Sequence, residues 1–346
     1  MTAWVILDSK VGHANMARGL MHSIETQSPL SVTFFKVRNW SIPVGKILQK
    51  CWPWGVSIAR LAGVPSNKLS TTCSPDIVIG SGGNLLWHTA ALAKSYGCVS
   101  VFGGSKRSLP VGAVDVLAHY DPEKQSAEGA LILPLLPSSI APDQLRTDWQ
   151  RFADDQKIPA SGNYFACLIG GDGSGYQWTM TDIKKLVVSL KQIADSMKIK
   201  WLISTSRRTR PELEAYIRKH LTSHVVQDAC WVHLGDKRRI ASPYLGGASA
   251  VFVGEDSMSM IHESISSGKR VVTFRPDLAE PNRSYLNYLE HAGSNRWILR
   301  STTASLGTIP GSNCWDRMEP FKENVLESVG KMLISQIHAH LKNKAA

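Results

Sequence analysis

Short apolar runs alternate along the chain with longer segments in which apolar residues return every three or four positions. Short runs predict buried strands, and the helical period predicts amphipathic helices. We expect strands at residues 4–7, 31–36, 76–80, 99–102, 165–169, 201–204, 250–253 and 270–274. We expect helices at residues 15–25, 85–96, 181–197, 211–221, 257–267, 283–291 and 319–341.

Strand and helix in repeated alternation predict parallel sheets covered by helices on both faces, so the fold class is α/β. The alternation breaks in a proline-containing stretch between Pro134 and Gly162. We therefore expect an N-terminal domain at 1–161, a C-terminal domain at 162–318, and a terminal helix in 319–346 that could pack back on the N-terminal domain. Two doubly wound, Rossmann-like domains would face a central cleft, with ligands at the carboxyl ends of the strands.

The composition fits a folded protein of 346 residues, with 43% hydrophobic and 19% charged residues. The six cysteines form no C-x-x-C pair and no zinc-spaced cluster, which indicates a reducing compartment. No signal peptide is recognisable at the first strand, and no apolar run approaches the ~20 residues of a membrane span. We expect a cytoplasmic protein that is soluble or bound to a membrane surface.

The formal net charge of +11 favours phosphorylated ligands or anionic lipid. No nucleic-acid-binding motif is present, so we expect no nucleic-acid partner. The segment Trp40–Ala62 mixes tryptophans, lysines and aliphatic residues, as interfacial helices do. A core helix is the alternative for this segment.

Three predicted strands run into loops rich in glycine or serine before a helix begins. The loops are Asp8–Asn15, Gly80–Asn84 and Gly170–Gly175. Glycine lets a backbone approach a ligand, and the following helix offers free N–H groups, so each loop suits a phosphate. None is a P-loop or a complete G-x-G-x-x-G. The alternative is that the glycines only turn the chain.

The C-terminal half contains the pattern expected of a nucleotide site. Ser257 follows a strand at a helix N-cap position, and the N–H groups near Met258 and Ser259 would face an anion. Glu263 shares the helix face of Ser259 and could accept the ribose hydroxyls. Arg207 and Arg208 follow the strand at 201–204 and suit bidentate phosphate binding. An ordinary capped helix and a solvated loop are the alternatives.

His13 is the candidate general base, because it lies in the first strand-to-helix loop and histidine is the residue type that most often serves as a general base. Asp8 could orient His13 or act as the base itself. His88 and His262 are expected to pack on helices. Arginines and helix dipoles can neutralise a leaving diphosphate, so we expect no metal and no cofactor.

Five motifs recur in order along the chain: the first loop Asp8–Asn15, Tyr120-Asp121-Pro122, Gly170-Gly171 with Tyr176 and Trp178, Ser206-Arg207-Arg208-Thr209, and Asp256-Ser257-Met258-Ser259-Met260 with Glu263. The first loop resembles the D-G-K-x-G-H-E-N-Q of the mitochondrial fission ELM family, although Ser9, Ala14 and Met16 differ from that pattern. The other four motifs resemble the same family. Their order and spacing hold over nearly the whole chain.

The resemblance implies a GT-B glycosyltransferase fold, similar in layout to the N-acetylglucosaminyltransferase that completes the lipid-linked peptidoglycan precursor. It implies a donor side formed by Gly170, Gly171, Tyr176, Arg207, Arg208, Asp256, Ser257, Met258, Ser259 and Glu263. It implies an acceptor side formed by Lys10, Gly12, Asn15, Gly82, Gly83 and Asn84, with His13 and Asp8 catalytic.

The function expected is metal-independent transfer of a sugar from a nucleotide-sugar donor, with UDP-sugar favoured, to a lipid-linked or cell-envelope glycan. Such an enzyme would lie peripherally on the inner face of the cytoplasmic membrane. One alternative is a non-catalytic GT-B scaffold, as in the plant organelle-fission role. The other is a nucleotide-sugar epimerase or hydrolase.

Overall fold

The computed structural model describes residues 1–36, 74–83, 85–107, 109–121, 125, 129–138, 140 and 142–345. The chain divides into two compact units, residues Met1–Ser139 with Asn324–Ala346, and residues Ile140–Glu323. We refer to them as unit 1 and unit 2. Each contains one six-stranded parallel sheet with helices, which confirms the predicted α/β class.

The sheet of unit 1 has the strand order β2-β1-β3-β4-β5-β6. Its strands are β1 (Thr2–Leu7), β2 (Ser31–Lys36), β3 (Ile77–Ser81), β4 (Val99–Gly103), β5 (Val116–His119) and β6 (Leu131–Ile132). The described helices of this unit are α1 (Val11–Glu25), α2 (Leu86–Tyr96) and, from the end of the chain, α10 (Val325–Ala345).

The main sheet of unit 2 has the strand order β10-β9-β7-β11-β12-β14, and a two-stranded antiparallel sheet pairs β8 with β13. The strands are β7 (Tyr164–Leu168), β8 (Tyr176–Gln177), β9 (Lys200–Ser204), β10 (Val226–Cys230), β11 (Ala250–Gly254), β12 (Arg270–Arg275), β13 (Leu278–Ala279) and β14 (Ile298–Thr302). The helices are α3 (Pro142–Gln156), α4 (Met180–Met197), α5 (Pro211–His220), α6 (Ala241–Gly247), α7 (Met258–Ser266), α8 (Arg283–Ser294) and α9 (Asn313–Asp316).

Aromatic side chains fill the core of each unit. In unit 1, the Trp4 ring packs edge-on against Phe35 and Tyr96. In unit 2, Phe165 and Phe252 stack with ring centroids 5.8 Å apart. The central strands are buried on both faces, which explains why their sequences are continuous apolar runs.

Helix α10 returns to unit 1 and packs against α1. The two helices approach closely at Gly330, where an added Cβ would overlap the backbone oxygen of Ser23 on α1. Glycine is therefore required at this crossing by space, because any side chain would push the two helices apart.

Each main sheet contains a switch point, where the strand order reverses and the chain connections leave towards opposite sides of one strand. In unit 1, β1 lies between β2 and β3, and in unit 2, β7 lies between β9 and β11. Ligands of doubly wound sheets bind at the carboxyl ends of strands at such switch points. The loops after β1 and β3, and those after β7 and β11, are therefore where sites are expected.

The predicted strands are all present, and α1 begins at Val11 rather than at residue 15. The predicted boundary at 161/162 differs from the division by contacts, which assigns α3 to unit 2 because α3 packs on α6. Glycines allow that packing, since a Cβ at Gly247 would overlap the Trp149 ring. The strands β5, β6, β8, β10, β13 and β14 were not predicted.

Two expectations concern the membrane and the thiols. Within the ranges given above, no helix combines the length and the apolar character that crossing a membrane requires. The segment Trp40–Ala62 lies outside the described residues. Cys98, Cys167, Cys230 and Cys314 are free thiols, and the first three are buried.

Candidate functional site

The switch point of unit 1 contains an aspartate–histidine pair. His13 Nδ1 donates to Asp8 Oδ2 at 2.8 Å, and Lys10 N donates to Asp8 Oδ1 at 2.9 Å. The Asp8 side chain is fully buried, whereas the His13 side chain is 28% exposed. His13 lies in the first turn of α1. A carboxylate on Nδ1 fixes the tautomer in which Nε2 carries the free lone pair, as a general base requires.

The glycine loop after β3 packs directly against this pair. Gly82 has φ +88°, and an added Cβ would overlap the His13 ring. A Cβ at Gly83 would overlap the guanidinium of Arg107. The loops after β1, β3 and β4 therefore meet near these two glycines. Gly82 has the stricter requirement, because it combines a positive φ with the close approach of the His13 ring, whereas the flexible Arg107 side chain could move away from Gly83.

Arg107 was not singled out by the sequence. It follows β4 in the run Gly103-Gly104-Ser105-Lys106-Arg107 and adopts a left-handed backbone with φ +49°. The sequence signal that could have indicated Arg107 was a pair of glycines at the end of a strand, followed by two basic residues. Its guanidinium adds a positive charge beside Gly83, in the loop that leads into α2.

The remaining predicted acceptor residues lie near the start of α1. Lys10 is exposed immediately before the helix, Gly12 lies in its first turn, and Asn15 is half-buried within it. Asn84 lies outside the described residues.

The switch point of unit 2 is organised by Asp256, which is buried after β11. Gly171 N donates to its Oδ2 at 3.0 Å, and Trp178 Nε1 donates to its Oδ1 at 3.3 Å. Arg208 Nη2 lies 2.8 Å from Oδ2. A Cβ at Gly170 would overlap this carboxylate, so the glycine loop after β7 rests on Asp256. The predicted Gly170, Gly171, Arg208 and Asp256 are thus in mutual contact.

Asp256 fixes the position of the Arg208 guanidinium but does not occupy all of the N–H donors of Arg208. Burial raises the pKa of Asp256, and the opposing influence of the Arg208 guanidinium and of the Gly171 N–H favours the charged carboxylate. The Arg208 side chain remains 39% exposed and also donates from Nη1 to the Asp256 carbonyl at 3.4 Å. A guanidinium fixed in this way and open to solvent is suited to receive an anion.

Arg207 differs from Arg208 in its surroundings. Its side chain is exposed and forms no ion pair or hydrogen bond with any residue that the structure describes. The two arginines therefore provide one fixed and one adaptable cation after β9.

Helix α7 begins at the same edge of the sheet. Ser257 occupies the N-cap position with an extended backbone, but its hydroxyl makes no capping hydrogen bond and lies 3.5 Å from Ser259 Oγ. The first-turn N–H groups are consequently not capped by this side chain, which leaves the positive end of the helix for an anion. Met258 and Ser259 are half-buried in the first turn, and Glu263 is buried one turn later.

Glu255 was missed by sequence reasoning, although it is fully buried beside Asp256. Tyr176 Oη donates to Glu255 Oε1 at 2.9 Å, and Thr273 Oγ1 donates to Oε2 at 3.1 Å. Arg300 binds the carboxylate with both Nη2 and Nε, at 2.7 and 3.0 Å. Tyr176, predicted as a donor contact, thus directs its hydroxyl to Glu255. The available signal was a pair of adjacent acids between a buried strand and a helix.

The two other histidines considered are buried within helices. His88 lies in α2, and His262 lies in α7 with Nδ1 3.3 Å from Tyr288 Oη. Burial lowers the pKa of His262 to about 3. Across the described ranges, no three His, Cys, Asp or Glu side chains are grouped as metal ligands.

Two α/β units, each with a six-stranded parallel sheet, define the GT-B class of fold. Comparison with solved structures agrees with this assignment at low sequence identity. The UDP-GlcNAc 2-epimerase of Methanocaldococcus jannaschii is 11% identical with a TM-score of 0.61, over 98% of this chain and 100% of that chain. The chain belongs to the mitochondrial fission ELM1 family, whose model matches residues 11–323.

Two further solved structures share the fold over the full length of both chains. Arabidopsis thaliana UGT89C1, solved in complex with UDP, is 10% identical with a TM-score of 0.53, and 100% of each chain is covered. The ADP-heptose LPS heptosyltransferase II of Escherichia coli is 11% identical with a TM-score of 0.50, again over 100% of each chain. No curated protein sequence matches significantly. The likeness establishes the fold, which was predicted.

Proposed function

We propose that this protein is a metal-independent glycosyltransferase that moves a sugar from a nucleotide-sugar donor to a lipid-linked or cell-envelope glycan acceptor. The observation that carries the proposal is the buried Asp8 carboxylate holding a partly exposed His13 at the switch point of unit 1. A protein that served only as a scaffold would have no need of an imidazole oriented in this way.

The donor nucleotide is proposed to bind at the switch point of unit 2. Arg208, Arg207 and the uncapped start of α7 supply positive charge for a diphosphate. Gly170 and Gly171 let the backbone approach the ligand, and Glu263 is proposed to accept the ribose hydroxyls. UDP is the first choice, by analogy with the fold neighbours whose names contain it.

The proposed reaction is a single displacement at the anomeric carbon. The acceptor oxygen forms the new bond to that carbon while its proton passes to His13 Nε2. The bond to the donor diphosphate breaks, and the diphosphate leaves with the electron pair and is stabilised by Arg207 and Arg208. Asp8 stabilises the resulting imidazolium. The acceptor is proposed to lie along Lys10, Gly12, Asn15, Gly82, Gly83 and Asn84.

We place the reaction at the inner face of the cytoplasmic membrane. The net charge of +11 would attract the protein to anionic lipid, and Trp40–Ala62 has an interfacial composition. Flotation with anionic and neutral vesicles at low and high salt tests this location. Absence from the anionic-vesicle fraction at both salt concentrations would contradict it.

The experiment that tests the function has a binding stage and a turnover stage. A thermal-shift panel of UDP, GDP, ADP, TDP, CDP, CMP and the corresponding nucleotide sugars identifies the donor. A ligand present at 100 times its Kd should stabilise the fold by about 2.7 kcal/mol. The identified nucleotide sugar is then incubated with and without lipid-linked glycan acceptors, and the nucleotide released is measured.

Acceptor-dependent release supports the transferase. Release of nucleotide and free sugar without an acceptor would indicate a hydrolase, and conversion of the nucleotide sugar to its epimer would indicate an epimerase. A folded protein that binds no nucleotide of the panel would contradict the donor site and favour the scaffold.

A further inference from the structure

Two adjacent carboxylates, Glu255 and Asp256, are buried in the short turn between β11 and α7. Their side chains have separate partners. Asp256 contacts the glycine loop and Arg208, whereas Glu255 contacts Tyr176, Thr273 and Arg300. The turn that leads into the proposed diphosphate site is thus held between two arginines.

The partners of Glu255 occupy its whole hydrogen-bonding capacity. Each carboxylate oxygen accepts one hydroxyl and one guanidinium N–H. The backbone of Glu255 is also fixed, because its N–H donates to the Phe274 carbonyl at 2.8 Å and its own carbonyl accepts from Tyr285 Oη. Glu255 therefore ties its turn to β12, β14 and α8, and to β8, which directly follows the glycine loop.

Burying such an ion pair adds little to the free energy of unfolding. The desolvation of both charges offsets much of their attraction, and well-packed apolar residues often serve at least as well. A fully satisfied polar network instead defines one geometry, because every alternative leaves a buried group unpaired. Here the network sets the spacing between two elements. One is β8, which follows the glycine loop and contributes Tyr176, and the other is the start of α7, which follows the turn that contains Glu255.

We infer that Glu255, together with Arg300, is a positioning pair for the donor diphosphate: it fixes the turn at Gly254–Ser257 so that the first turn of α7 and Arg208 face the same anion. This inference rests on the proposed nucleotide function. Neither Glu255 nor Arg300 needs to touch the ligand. Their influence passes through the backbone of the turn and through the hydroxyl of Tyr176.

The test compares the affinity for UDP with the affinity for uridine, because the nucleoside lacks the diphosphate. If another nucleotide of the panel binds, it is compared with its own nucleoside. Glu255→Gln preserves shape and removes the charge, and Arg300→Lys preserves the charge and removes the bidentate contact. Each substitution should lower the affinity for UDP about tenfold or more, because the first turn of α7 and Arg208 would no longer be held in position for the diphosphate. The affinity for uridine should stay within about twofold of the wild-type value.

Arg296→Gln is the matched control. Arg296 pairs with Glu319 at 2.8 Å in the same unit, but both side chains are largely exposed. An exposed pair contributes little, so affinity for both ligands should be unchanged. The double variant Glu255→Gln/Arg300→Lys should be less impaired than the product of the two single effects, because both act on one contact.

The outcomes separate this inference from the function on which it rests. A wild-type protein that binds no nucleoside diphosphate removes the proposed function itself. Wild-type binding of UDP with equal losses for UDP and uridine in the variants would make Glu255 a purely structural residue, and unchanged UDP binding would overturn its role altogether. If Glu255→Gln does not fold, Arg300→Lys and Thr273→Val give the same comparison with milder changes.

Discussion

Asp8 and His13 form a hydrogen bond of 2.8 Å between Oδ2 and Nδ1, in which the acceptor is completely buried and the imidazole reaches solvent. The pair therefore separates two tasks. The carboxylate fixes the ring orientation from inside the fold, and the other ring nitrogen can meet a substrate. Asp8 is better placed to orient His13 than to act as the base itself, because its side chain has no exposed surface.

We expect His13→Ala to lower turnover about 10²–10⁴-fold, the usual contribution of a general base. Asp8→Asn should also lower turnover, because an amide that donates to Nδ1 favours the wrong tautomer. Donor affinity should be unchanged in both, since the proposed donor contacts are in unit 2. The measurement is turnover and nucleotide affinity on the same samples. Near-normal turnover in His13→Ala would remove the imidazole from the mechanism.

Gly82→Ala should abolish most activity by displacing the His13 ring, which a Cβ would overlap. Gly97→Ala is the control, because Gly97 also has a positive φ (+65°) but has open space around its Cβ position. Both substitutions strain the backbone by about 1 kcal/mol or more. If both variants lose a similar amount of melting temperature and only Gly82→Ala loses turnover, the result supports the close approach of Gly82 to the His13 ring. Equal turnover in the two variants would speak against it.

Arg207→Ala and Arg208→Ala should both weaken nucleotide binding, by roughly 1.5–3 kcal/mol, as expected for loss of a charge-assisted hydrogen bond. They should differ in stability. Arg207 has no partner among the described residues, whereas removal of Arg208 leaves the buried Asp256 without its cation. Only Arg208→Ala should lower the free energy of unfolding, by about 1–3 kcal/mol.

Calorimetry with the identified nucleotide and urea unfolding check both expectations. Glu263→Ala should resemble Arg207→Ala in losing affinity. Full nucleotide affinity in Arg207→Ala and Glu263→Ala together would mean that the nucleotide binds elsewhere.

Lowering the pH should reduce the free energy of unfolding of unit 2, because its buried His262 must remain unprotonated in the folded state. Burial lowers its pKa from 6.5 to about 3, so between these values the unfolded chain binds a proton that the folded chain excludes. The stabilisation is complete above pH 6.5 and falls by about 1.4 kcal/mol for each pH unit below it. His262→Phe should reduce the slope of unfolding free energy against pH by about one proton in this range. Equal slopes for wild type and variant would show that His262 does not titrate this way.

Gly330→Ala should destabilise unit 1 by about 1–3 kcal/mol, because the new methyl group would collide with the Ser23 carbonyl where α10 crosses α1. Gly293→Ala in α8 is the matched control, since its Cβ position is open. That change should be neutral or stabilising by up to about 1 kcal/mol. Chemical unfolding of the two variants measures the difference, and equal stabilities would contradict the tight crossing.

The apolar runs predicted the central strands well because these strands are buried on both faces. The strands that were missed have weaker patterns. Strand β10 contains Gln227 and Asp228, and β14 contains Arg300, so neither forms a continuous apolar run. The start of α1 was placed too late because Lys10, its N-cap residue, makes no side-chain capping bond and gives no sequence signal.

The sequence named several residues of the candidate site but not the contacts between them. Asp256 and Arg208 were both named, but their ion pair depends on loops that are distant in sequence and meet only through the strand order. Glu255 was missed because a pattern cannot tell which way two adjacent acids point in a turn. Arg107 was missed because its contact with Gly83 is set by the loop after β4, which has no periodic signal.

Helix α10 belongs to unit 1, yet it is encoded after the whole of unit 2. During synthesis, the ribosome therefore makes every residue of unit 2 before it makes the helix that packs on α1. Unit 1 cannot complete its packing until that helix is available, because α10 lies against the α1 surface around Ser23. The packing of the half that carries His13 thus depends on a segment encoded after unit 2, and a chain that stopped before α10 would leave α1 without the helix that covers it.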